Sequence, residues 1–78
     1  MIKHKFKIST WDAGKAFMKD VENAFTVKKQ ERDGDLLIET DEFYLSCHFD
    51  ANKFAFIMLK IINETLEDKF KLLQSKYS

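Results

Sequence analysis

The chain predicts an α+β fold of order β-α-β-β-β-α: a four-stranded, mostly antiparallel sheet with two helices packed on one face. Three observations carry that expectation. Residues 2–8 alternate apolar and polar without a break. Two segments, 11–24 and 55–73, repeat apolar residues at spacings of three and four. Between them, short alternating runs are joined by Asp33-Gly34 and Asp41-Glu42.

The first strand is Ile2-Lys3-His4-Lys5-Phe6-Lys7-Ile8. Ile2, His4, Phe6 and Ile8 share one face, and the three lysines share the other. Lysines on an outer face also guard an edge strand against unwanted pairing. Ser9, with Asp12 three residues on, approximates a capping box and opens a helix. Its core stripe is Ala13, Phe17, Val21 and Ala24, and Gly14 weakens its first turn slightly.

A strand is expected from Phe25 through Glu31. Asp33-Gly34 then forms a tight turn, because glycine accepts positive φ without strain. Leu36 and Ile38 mark the next strand. After Asp41-Glu42, Phe43, Leu45, Cys47 and Phe49 point one way, while Tyr44, Ser46 and His48 point the other. Residues 25–49 are thus expected to be a three-stranded meander.

Asp50 is read as the cap of a last helix running from about 51 to about 75. Ala55, Leu59, Ile62, Leu66, Phe70 and Leu73 form its core-facing stripe. Phe54, Ile57 and Ile61 form a second stripe over its first half, and Phe56 lies on a third side. Both helices are expected on the sheet face of Ile2, Phe6, Leu36, Ile38, Leu45 and Cys47. The position of the first strand in the sheet does not follow from the pattern.

Seventy-eight residues make one domain, 1–78, which is small enough to be marginal alone. Net charge is zero, but it is unevenly spread. Residues 1–29 hold seven Lys against three acids, and residues 30–50 hold Arg32 against seven acids. The single cysteine, Cys47, allows no internal disulfide and fits a reducing compartment, so a cytoplasmic location is expected. Lys3, Lys5 and Lys7 interrupt any signal-peptide core, and the run from Phe54 to Leu59 is far too short to span a bilayer, so no membrane association is expected.

Catalytic and metal motifs are missing. Cys47 and His48 are neighbours on a strand and point to opposite faces. His4 and Cys47 share a face but lack a third group to orient them. No Gly-rich phosphate loop exists, and no cofactor is implied. The expected function is therefore non-enzymatic: a protein-interaction module, serving as subunit, adaptor or inhibitor of a larger protein. Self-association as a homodimer is expected through Phe54, Phe56, Ile57 and Ile61 on the last helix, because a second apolar stripe needs a second partner. The alternative is nucleic acid, bound on a basic outer face of Lys3, Lys5, Lys7, Lys28, Arg32, Tyr44 and His48.

Overall fold

The computed structural model describes residues 1–77. Its elements are β1 (Ile2–Ile8), α1 (Trp11–Phe25), β2 (Gln30–Arg32), β3 (Asp35–Glu39), β4 (Phe43–Phe49), β5 (Ala55–Ile61), a 3-10 turn (Glu64–Leu66) and α2 (Glu67–Ser75). The five strands form one antiparallel sheet of order β1-β5-β4-β3-β2. The class is α+β, as expected, but the sheet has five strands, not four.

The fifth strand comes from the segment expected to open the long last helix. Residues 55–61 alternate: Ala55, Ile57, Leu59 and Ile61 are buried, and Phe56, Met58 and Lys60 face the other way. The outward Phe56 and Met58 are themselves apolar, so the run reads as uniformly hydrophobic and its period of two is hidden. β5 bonds β1 on one side and β4 on the other. It is therefore the strand that places β1, antiparallel to it from Ile2↔Ile61 to Ile8↔Ala55. Asp50 closes the β4–β5 hairpin instead of capping a helix. Its carboxylate accepts from the Asn52 N–H at 2.8 Å, and Lys53 takes a left-handed φ of 71°.

Two boundaries also shift. The α1 N-cap is Thr10, whose hydroxyl accepts from the Ala13 N–H at 3.1 Å. The helix runs through Phe25 to a left-handed Thr26, so the strand expected at residues 25–31 shrinks to Gln30–Arg32. Asp33 and Gly34 both adopt positive φ and join β2 to β3 in a two-residue hairpin, as their types require.

Both helices cover one face of the sheet. Phe17, Met18 and Val21 of α1 and Phe70 and Leu73 of α2 pack into a core with Ile8, Ile38, Leu45, Ile57 and Ile61. Phe25, Phe43 and Phe70 cluster with ring centroids 4.6–5.0 Å apart. Tyr77 ties the end of the chain to α1 by donating its hydroxyl hydrogen bond to Asp20. Among the described residues, no helix lies over the opposite sheet face.

The uncovered sheet face as candidate functional site

The strand alternation that fills the core decides what the other face presents. Its outward residues fall in three rows across the sheet. One row is Lys3, Lys60, Tyr44 and Glu39. The next is Lys5, Met58, Ser46 and Leu37. The third is Lys7, Phe56, His48 and Asp35. Each row starts on β1 with a lysine, and the two outer rows carry an acid on β3, beyond which Arg32 of β2 stands level with Asp35. Between them, Phe56, Met58, Tyr44 and Leu37 form a half-buried apolar centre. Two rings carry lysines: Lys7 lies 4.7 Å from the Phe54 centroid and Lys60 lies 5.9 Å from that of Tyr44.

Beside that centre stands a polar relay that the sequence pattern did not single out. The Asp35 carboxylate contacts His48 Nδ1 at 2.8 Å, and His48 Nε2 lies 3.1 Å from Ser46 Oγ. These are the residue types of a hydrolytic triad in the right contact order. Two features oppose nucleophilic use. Ser46 is only 1 % exposed. It also lies mid-strand in β4, whose amides pair with β3 and β5, leaving no backbone donors to receive an oxyanion. The relay instead fixes the His48 ring and gives Asp35 a local partner. The i, i+2 spacing of Ser46 and His48 was visible in sequence, but Asp35 joins them only through the β3–β4 register.

Of the residues expected on a basic face, Lys3, Lys5, Lys7, Tyr44 and His48 come together. Arg32 stands on β2 level with Asp35, at the rim of the same face beyond the apolar centre. Lys28 lies in the segment between α1 and β2, off the sheet. Lys60, Phe56 and Met58 join the face, having been assigned to a helix.

The residues expected to form a helical interface separate. Ile57 and Ile61 are fully buried core residues on the helix-covered side. Phe56 emerges on the uncovered face, and Phe54 precedes β5 under Lys7. The helical stripe does not form, because a strand sends neighbours to opposite faces.

Cys47 is buried on the core side, and burial pushes its thiol up to about 12, with the charge of Asp35 adding to the effect. His4 stands on β1 level with Leu59 and Leu45, whereas Cys47 is level with Ile57 and Phe6, so the two make no pair. His4 Nε2 is buried without a hydrogen bond, 3.9 Å from Glu67. Among the described residues, no group of three His, Cys, Asp or Glu could hold a metal ion, and no helix is long and apolar enough to cross a membrane.

Comparison of the chain with family models, curated proteins and solved structures gave no match.

Proposed function

We propose that the protein is a non-enzymatic protein-interaction module whose contact surface is the uncovered sheet face. The observation that carries this is the apolar centre of Leu37, Tyr44, Phe56 and Met58 on a face over which, among the described residues, no helix packs. Antiparallel sheets often leave one face wet, but such faces are usually polar. A contiguous apolar centre with a charged rim is the anatomy of a binding patch. The test is capture of bound protein by the wild type and by Met58→Asp, which changes the centre of the patch without entering the core. The wild type should retain protein that the variant loses. Identical capture profiles would remove the reading.

One observation favours nucleic acid as a second occupant. Lys3, Lys5 and Lys7 repeat along β1 next to the ring of Phe56, with Tyr44 one strand further in beyond Lys60, combining phosphate contacts with stacking platforms. Binding of that kind would weaken steeply with salt. A flat titration with single-stranded homopolymers at low salt would exclude it.

A further inference from the structure

We infer that the uncovered face docks on the same face of a second copy of this chain, about a two-fold axis running along the strands. This rests on the face being a protein-binding surface, and it names the partner.

Two stacked copies of one sheet face can be related by a two-fold along the strands or across them. The charge pattern separates these cases. An axis across the strands sets β1 over β1, so lysine meets lysine and the acids of β3 meet each other. Such like-charge juxtaposition across an interface is strongly unfavourable. An axis along the strands, passing between β5 and β4, keeps each row at its own level and reverses it end for end. Lys3 then lies over Glu39 of the partner subunit, and Lys7 lies over Asp35 of the partner subunit. Met58 lies over the partner's Ser46, and Phe56 covers the partner's His48. Lys5 lays its methylene stem over the partner's Leu37. Each contact occurs twice, as a two-fold interface requires. Among the described residues, neither Lys3 nor Glu39 has an ion-pair partner within its own chain. Packed sheets stand about 10 Å apart with strands inclined by about 30°, an offset that long lysine side chains can span.

The area sets the strength. Four strands about 4.8 Å apart, overlapping over about 20 Å, make a footprint of about 400 Å² per copy. With side-chain relief, the total buried surface is on the order of 1,000 Å², at the lower limit for specific interfaces. The dimer should therefore dissociate in the micromolar range and escape notice in dilute solution.

Sedimentation equilibrium of the full chain, from micromolar to hundreds of micromolar, tests this. One variant carries Lys3→Glu with Lys7→Glu, and the other carries Asp35→Lys with Glu39→Lys. Each alone should dimerise on the order of tenfold more weakly, or worse. An equimolar mixture should form a heterodimer, because opposite charges then face each other on both sides of the axis. Asp35 also holds His48, so the single pair Lys3→Glu and Glu39→Lys repeats the test without disturbing any internal ion pair. Complementation on mixing supports the arrangement. A dimer that both variants leave unchanged, or that mixing fails to restore, overturns it. A wild type that stays monomeric overturns the dimer; if Met58→Asp still loses captured protein, the protein-binding face survives with another partner. A monomer that binds a deoxythymidine homopolymer, with a steep salt dependence and no captured protein, overturns both.

Discussion

At Gly14 an added Cβ would overlap the Ala55 Cβ and stand 3.2 Å from Cys47 Sγ. Propensity alone makes Gly14→Ala stabilising by up to about 1 kcal/mol in a helix. Packing decides otherwise, because both contacts are fully buried residues of the sheet beneath α1. The helix must lift or β5 must shift, and overpacking of this kind costs about 1–3 kcal/mol. Urea unfolding should place Gly14→Ala below the wild type; a more stable variant would mean that α1 does not sit this close to β5. In sequence, Gly14 reads only as a weak spot in a first turn. Its role becomes visible once Ala55 is known to lie on a strand, and nothing local to residue 14 could have announced that.

β5 is the element on which sequence and structure part, and the cause is specific. Of the other four strands, three are legible because polar residues mark their outward faces: lysines on β1, Glu39 on β3, Ser46 and His48 on β4. On β5 the outward positions are Phe56 and Met58, so alternation disappears into a continuous apolar run, and the spacing of Ala55, Leu59 and Ile62 fits a helix equally well. The same two residues make the uncovered face apolar. The feature that obscured the strand is thus the feature that builds the candidate site. β-branched and aromatic residues at Phe54, Phe56, Ile57 and Ile61 favoured a strand, but only as a weak propensity. Adjacent positions now separate core from face. Ile57→Asp puts an unpaired carboxylate between β1 and β4 and should cost more than about 4 kcal/mol, enough to unfold a domain this small. Met58→Asp, one residue on, should keep a cooperative thermal transition near that of the wild type. Circular dichroism melts of both variants decide the matter: similar melting temperatures would place residues 55–61 in some other conformation.

Across the whole molecule, two acidic protons couple the fold to alkaline pH. Burial pushes the Tyr77 phenol up to about 12, and its hydrogen bond to the Asp20 carboxylate acts in the same direction. Burial raises the Cys47 thiol to about 12 as well. In each case the folded chain holds a proton that the unfolded chain releases nearer its ordinary value, 10.0 for the phenol and 9.0 for the thiol. Wherever the folded state binds more protons, stability falls as pH rises. The contribution is complete below about pH 9 and is lost progressively towards about pH 12. The two groups report on different joints of the molecule. Tyr77 fastens the end of the chain to α1, and Cys47 sits where Gly14 of α1 meets the sheet. Thermal melts of wild type, Cys47→Ala and Tyr77→Phe at stepped pH should show a shallower alkaline fall in each variant than in the wild type, whatever the variants lose at neutral pH. Comparing each variant with the wild type at the same pH isolates the single group it removes. A Tyr77→Phe curve parallel to that of the wild type would mean that the phenol is solvated and the end of the chain is not held on α1; a parallel Cys47→Ala curve would mean that water reaches the thiol between helix and sheet.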